Sequence, residues 1–401
     1  MIPIEFSLFA ATLLGIALFH RQTLSIALAG LTAIVAYKSV FADFRWGTGL
    51  NGLALQLQHE WVVLTNLFLL LVGFAVLSRH FEKSGVPAAM PVILPEGWRG
   101  GLVLLAIVFV LSGILDNIAS ALIGGTVARH VFNGRVHIGY LAAIVAAANA
   151  GGAGSVLGDT TTTMIWIAGI SPIKVLVAYL PAATAFLIFA VPASFQQERH
   201  SPIVKGMGRS VPIDWLRLVI VIAMLIAALA ANSASSFIDS SRLDALPLLG
   251  IAIWVIILAF ARLRSPDWSV MPEALKGAVF LVALVAAASM MPVESLPAAS
   301  WPSVLALGFV SAVFDNIPLT ALALKQGGYD WGFLAYAAGF GGSMVWFGSS
   351  AGVALANMFP EARSVGRWLR HGWSIPIAYA VGFFALLLTT GWHPDPLRMA
   401  R

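Results

Sequence analysis

Apolar residues run along this chain in stretches too long and too continuous for the periodic faces of a soluble fold. Runs near residues 4–19, 23–37 and 61–78 predict three membrane helices, followed by 101–128, 138–170 and 172–194. A polar, basic stretch from Gln196 to Arg209 interrupts the pattern. It then resumes at 213–231, 246–261, 275–291, 302–325, 330–358 and 374–391. The polar positions inside these runs repeat. Leu111-Ser112-Gly113-Ile114-Leu115-Asp116-Asn117-Ile118-Ala119 returns as Val310-Ser311-Ala312-Val313-Phe314-Asp315-Asn316-Ile317-Pro318, and each copy sets Asp-Asn near the middle of an apolar segment. Charge at membrane depth is costly, so an Asp repeated there marks a functional site. A duplicated motif suggests two halves built around one site, as in many secondary transporters.

Composition agrees. The 401 residues are 59% hydrophobic and 10% charged, and mean hydropathy is +0.90. A soluble domain of this size could not hide that much apolar surface, so the chain reads as an all-α polytopic membrane protein. The net charge of +5 reflects basic loops rather than a nucleic-acid surface. The absence of cysteine excludes disulfides, thiol catalysis and thiolate metal sites. Met1-Ile2-Pro3-Ile4-Glu5 has neither a basic stretch nor a small-residue cleavage site, so the first run is expected to be a retained helix.

The loop charges predict the threading. Segments 101–128 and 302–325 are each one kinked span or a re-entrant hairpin. Arg99, Arg129 and Arg135 flank the first at both ends, whereas Glu294, Lys325 and Asp330 surround the second, and this favours hairpins. With hairpins, 16 of the 23 basic residues fall in inner loops: Arg21; Arg79, Lys83 and Arg99; Arg129 and Arg135; Arg199, Lys205, Arg209 and Arg217; Arg262, Arg264 and Lys276; Arg363, Arg367 and Arg370. Each half then reads as three spans, a hairpin and two spans. The expected organisation is an inverted repeat with 10 spans, two hairpins and both termini outside. Residues 1–194 form the first repeat, 195–212 a cytoplasmic linker, 213–391 the second repeat and 392–401 a tail.

Of the 18 acidic residues, three fall within spans: Asp116, Asp159 and Asp315. An unpaired buried carboxylate either takes up a proton or binds a cation. A single such Asp is as readily a helix cap; three without a Lys or Arg at the same depth point to ion handling. Asn117 and Asn316 follow two of them, at tips where irregular backbone is tolerated only beside a cavity or inside protein. Pro318 suits the first turn of the helix beyond the second tip.

A second duplicated feature lies downstream. Aligning Gly151-Gly152 with Gly341-Gly342 also matches Gly158 with Gly348, Asp159 with Ser349 and Thr160 with Ser350. Glycine lets a span unwind and frees carbonyls for a cation, with Ser and Thr hydroxyls adding neutral oxygens. Close packing through small residues fits the same glycines. The halves are unequal, because only the first carries a carboxylate at this position. The eight histidines (His20, His59, His80, His130, His137, His200, His371 and His393) all map to loops or span ends and read as interfacial.

At these residues the chain resembles the ion transporter superfamily, which includes NhaD-type sodium/proton antiporters, arsenite exporters and citrate or dicarboxylate carriers. The Asp-Asn pairs are similar to the hairpin motifs of the antiporter and arsenite branches, and the Gly-Gly segments to the family's broken helices. The resemblance implies a homodimer in a bacterial inner membrane, working by an elevator-like movement of the two-hairpin domain. In the dicarboxylate branch Ser-Asn-Thr occupies the tips; Asp there would repel an anionic substrate. The expected function is therefore exchange of sodium, or lithium, for protons. Asp116 and Asp315 would carry the alternating load, Asp159 would join them as a sodium ligand, and Asn117, Asn316, Thr160, Ser349 and Ser350 would complete the site. No resident cofactor is expected. The runner-up is a citrate-type carrier in which a metal bridges the organic anion to the Asp residues. An intramembrane aspartyl hydrolase is a third reading, weakened because Val156 stands where the Gly-x-Gly-Asp signature needs its first glycine. No Gly-x-x-x-x-Gly-Lys-Ser/Thr motif supports ATP-driven transport.

Overall fold

A computed structural model describes residues 3–19, 22–86, 89, 94–203, 212–237, 246–293, 296–314 and 316–395. Asp315, together with Arg21, Lys205, Arg209 and Glu294 of the charge map, lies outside the described residues. Among the described residues every named element is a helix, with one isolated bridge between Phe44 and Gly47. Among the described residues four helices are long and apolar enough to cross a membrane: Thr23–Phe41, Gly49–Glu82, Pro172–His200 and Trp268–Ser289. Val365–His371 and Ser374–Thr390, bent by 60°, make a fifth if taken as one span.

The chain divides into two compact units, and each draws on both halves of the sequence. Unit 1 comprises Met1–Phe81, Trp215–Pro297 and Ala321–Gln326. It contains α1 (Ile4–Leu18), α2 (Thr23–Phe41), α3 (Gly49–Glu82), α10 (Trp215–Phe237), α11 (Leu248–Phe260) and α12 (Met271–Ser289). Small residues set its spacing. A methyl group on Gly30 of α2 would stand 2.1 Å from Thr12 Oγ1 of α1, and one on Gly250 of α11 would stand 2.5 Å from the Leu69 side chain of α3. Polar bonds fix the α3–α11 register: Gly250 N donates to Asn66 Oδ1 at 3.1 Å, and Trp254 Nε1 donates to the Leu69 carbonyl at 3.0 Å. Lys38 and Glu5, both buried, pair at 3.9 Å.

Unit 2 comprises Glu82–Asp214, Ala298–Thr320 and Gly327–Arg401. Its first-half elements are α4 (Trp98–Ser112), α5 (Asn117–Val131), α6 (Ile138–Ala153), α7 (Thr160–Ile167), α8 (Pro172–Leu176) and α9 (Tyr179–His200). From the second half come α13 (Trp301–Ser311), the start of α14 (Asn316–Gln326), α15 (Trp331–Gly341), α16 (Ser350–Met358), α17 (Val365–His371) and α18 (Ser374–Thr390). Both Asp-Asn segments are breaks between two short helices, α4/α5 and α13/α14. Both Gly-Gly segments are likewise breaks, α6/α7 and α15/α16.

The two halves interleave inside unit 2. Helix α4 packs on α6 and α13 on α15, while α15 touches both α6 and α7, and α16 packs on α5. Helices α6 and α15 are buried along their whole length, so their Ala- and Gly-rich sequences face protein on every side.

Candidate functional site

Four helix breaks place Asn117, Asp159, Asn316 and Ser349 in the interior of unit 2, and glycine makes the close approaches possible. A methyl group on Gly151 would lie 1.9 Å from the Phe109 carbonyl oxygen, and one on Gly341 would lie 2.3 Å from that of Gly308. At Gly158 it would meet the Ser112 carbonyl at 1.7 Å, and at Gly348 that of Ala312 at 2.4 Å. Each break also folds back on itself: Gly152 sits against the Gly158 carbonyl and Gly342 against that of Gly348. The same three backbone crossings thus occur twice. At each of these glycine segments the helix ends and neighbouring backbones pack closely against the break.

Asp159 and Ser349, paired by the sequence alignment, occupy equivalent places. Both are N-caps in extended backbone, with φ −143° ψ 137° and φ −143° ψ 152°. Their side chains are used differently. Ser349 Oγ caps its own helix by accepting from Gly352 N at 3.3 Å. The Asp159 carboxylate makes no capping bond; its Oδ1 accepts from Asn117 Nδ2 at 3.1 Å. A carboxylate at a helix N-terminus faces the helix's positive end, which suits its negative charge.

Asn149 ties these groups together. Its Oδ1 accepts from Asn117 Nδ2 at 3.1 Å, and its Nδ2 donates to Ser343 Oγ at 3.0 Å and Ser349 Oγ at 3.1 Å. Asn149 is fully enclosed, and Asn117, Asp159, Ser343 and Ser349 are buried with it. One network therefore joins the first Asp-Asn break to both Gly-Gly breaks. Ion-coupled chemistry needs this combination: one carboxylate, several neutral oxygens and no Lys or Arg among them. Among the described residues no three His, Asp or Glu side chains group as a metal site, so a cation here would draw on the neutral oxygens as well.

The other expected site residues are placed less completely. Asp116 is the N-cap of α5, next to Asn117, and no side-chain capping bond is formed. Asn316 is buried, its Nδ2 without a hydrogen-bond partner among the described residues. Thr160 and Ser350 open α7 and α16 and are half-buried. The hydroxyls of the Thr run serve the backbone. Thr162 donates to the carbonyls of Ser155 and Asp159, and Thr163 to those of Val156 and Asp159 at 2.8 and 2.9 Å. Several carbonyls exposed by the break are satisfied in this way rather than left for a cation.

Asn149 and Ser343 did not stand out in the sequence as site residues. The available signal was an amide in an otherwise Ala-rich buried helix, aligned with Gly339 in the other half. Gly339 matters for that reason: a methyl group there would stand 3.1 Å from Asp159 Oδ2, tighter than ordinary contact. Because Asn117 pins the other carboxylate oxygen, Gly339→Ala is expected to displace the carboxylate and to weaken sodium binding more than lithium binding. The predicted shift is roughly 5- to 30-fold in the ratio of their half-saturating concentrations, the scale of a 1–2 kcal/mol packing perturbation. Dye-quench titrations of both cations check it.

No family model matches the chain. Curated relatives match along most of its length. Sodium/proton antiporter 2 of Arabidopsis thaliana is 28% identical over 87% of this chain and 91% of its own. Sodium/proton antiporter 1 of the same plant is 30% identical over 72% of this chain and 55% of its own. The Na(+)/H(+) antiporter NhaD of Alkalimonas amylolytica is 27% identical over 71% and 67%.

Proposed function

We infer that this chain, a homologue of NhaD-type sodium/proton antiporters, is a secondary active transporter that exchanges sodium or lithium for protons across a membrane. The observation that carries the reading is the buried network of Asn117, Asn149, Asp159, Ser343 and Ser349, set at duplicated helix breaks in a protein whose relatives bear that name. It contains the single carboxylate and neutral oxygens that a small dehydrated cation needs, and its carboxylate can hold a proton instead. Competition between metal and proton for one group is the basis of exchange: binding one expels the other.

In this reading Asp116 and Asp315 join Asp159 as the groups that alternate between proton and cation. Asn117, Asn316, Thr160, Ser349 and Ser350 supply neutral oxygens or orient the carboxylates. The crossings shared by the two Gly-Gly breaks support a duplicated fold, read as two inverted repeats, 1–194 and 213–391, with 10 spans and two hairpins. A homodimer in a bacterial inner membrane, both termini outside, completes the proposal. An organic-anion carrier is not favoured, since the relatives are antiporters and Asp116 would repel a carboxylate substrate.

Everted vesicles from an antiporter-deficient bacterial host, acidified by respiration, test the reading. Sodium or lithium should release the quenched fluorescence of a proton-gradient dye, and citrate should not. No response to any cation, combined with citrate uptake, would transfer the fold to an anion carrier.

A further inference from the structure

A second group of chemistry-bearing residues lies at the opposite end of α6 from Asn149. The loop before α6, the end of α9, the turn Pro360–Ala362 and α17 border an open surface pocket of about 300 Å³, lined by Arg135, His137, His200, Glu361, Arg367 and His371 among others. The imidazole rings of His200 and His371 lie 5.3 and 4.7 Å from that of His137. His137 is held firmly as the N-cap of α6. Its Nδ1 accepts from Gly139 N at 3.2 Å, and its backbone N–H donates to Gln197 Oε1 at 2.7 Å. With Nδ1 accepting, the ring proton belongs on Nε2.

The charges do not balance. Arg367 Nη2 donates to the backbone carbonyl of Glu361 at 3.2 Å, and among the described residues neither Arg135 nor Arg367 forms an ion pair. Glu361 is the one carboxylate lining the pocket, facing two guanidinium groups and three imidazoles. Two guanidinium groups against one carboxylate beside an open volume suit an anion, and arginine pairs with phosphate through a fork of two N–H donors. We propose that this pocket is a binding site for a phosphate group, held by Arg135 and Arg367 with imidazole N–H donors from His137, His200 and His371. Burial, followed by the neighbouring His371 and His200, pushes the His137 imidazole down to about 4, so it enters the site as a neutral Nε2–H donor.

The depth fits a lipid headgroup or a phosphate at the membrane surface. Twelve residues of helix separate His137 from Asn149, about 18 Å at 1.5 Å per residue. Half the hydrocarbon thickness is about 15 Å, so an ion network at mid-membrane sets the pocket at headgroup level. That placement rests on the transporter reading; the convergence of charges does not.

The test uses the full-length protein purified in detergent and stripped of bound lipid, with thermal unfolding and native mass spectrometry as readouts, so it is independent of transport. Inorganic phosphate is titrated against chloride at matched ionic strength, and phosphatidylglycerol against phosphatidylcholine in mixed micelles. Wild type should gain thermal stability with one of the anionic probes. Arg135→Gln combined with Arg367→Gln should weaken that response roughly 30-fold, the scale for two surface arginines. Both side chains are exposed, so the fold should survive, which the unfolding midpoint without probe verifies. Arg370→Gln, on α17 but outside the pocket, should leave binding unchanged. Saturation by inorganic phosphate assigns a free phosphate; retention of phosphatidylglycerol alone assigns a lipid headgroup. No response in wild type, or equal losses in the double variant and Arg370→Gln, overturns the site while leaving ion exchange untouched.

Discussion

Asp116→Asn is expected to abolish cation-driven proton exchange and to leave folded protein at its normal level. Asn is an equally good N-cap and nearly isosteric, so the start of α5 and the break before it should form as before. What is lost is a charge beside a buried polar network. Removing one charged partner at a buried site costs about 3–5 kcal/mol, which is two to three orders of magnitude in affinity. The dye-quench assay should therefore show no recovery with sodium or lithium, while size-exclusion chromatography shows an unchanged, monodisperse peak. Asp159→Asn is the companion measurement. It keeps an acceptor for Asn117 Nδ2, so the network can close without its charge. If both variants exchange ions normally, the carboxylates are structural and the site lies elsewhere.

Gly158→Ala should fail in a different way, by preventing the break from packing. Its methyl group would meet the Ser112 carbonyl oxygen at 1.7 Å, with Gly113 close behind. The obstruction is backbone on both sides, so no side-chain rotation relieves it; α4 and the α6/α7 break must move apart. Overpacking of this kind costs about 3 kcal/mol or more. Asp159 follows directly, so exchange should be lost along with stability. The control is glycine with nothing nearby. Gly277 on α12 and Gly366 on α17 have no atom within 4 Å of an added methyl group. Alanine there should be neutral or stabilising by about 0.4–1 kcal/mol, through reduced freedom of the unfolded chain. Thermal midpoints of the three variants in detergent decide it: equal midpoints would mean that the Gly-Gly breaks are not closely packed.

Much of the local structure around these residues was legible in the sequence. The apolar runs located the helices, because a continuous hydrophobic stretch that must satisfy its own backbone in lipid has one local solution. The Asp-Asn and Gly-Gly duplications located the breaks, since glycine and mid-run polar residues are what helical periodicity cannot absorb. The pairing of Asp159 with Ser349 was also readable, and their backbone conformations agree closely.

Asn149 and Ser343 were not readable, for a physical reason. Each lies within its own apolar surroundings, and nothing local distinguishes a bonded buried amide from a tolerated one. Their role arises because α15 lies against α6 and brings the second half's serines within 3.0–3.1 Å of Asn149. The roles of Thr162 and Thr163 were equally unreadable: their hydroxyls are taken up by carbonyls seven residues back, which only the folded break brings within reach.

Sequence by itself determined what is dictated along the chain: a helical membrane protein, the positions of its breaks and the acidic residues at them. Tertiary structure decided which side chains meet. Hydrogen bonds between helices depend on register and crossing across some 200 residues of chain, and hydrophobic periodicity carries no information about either.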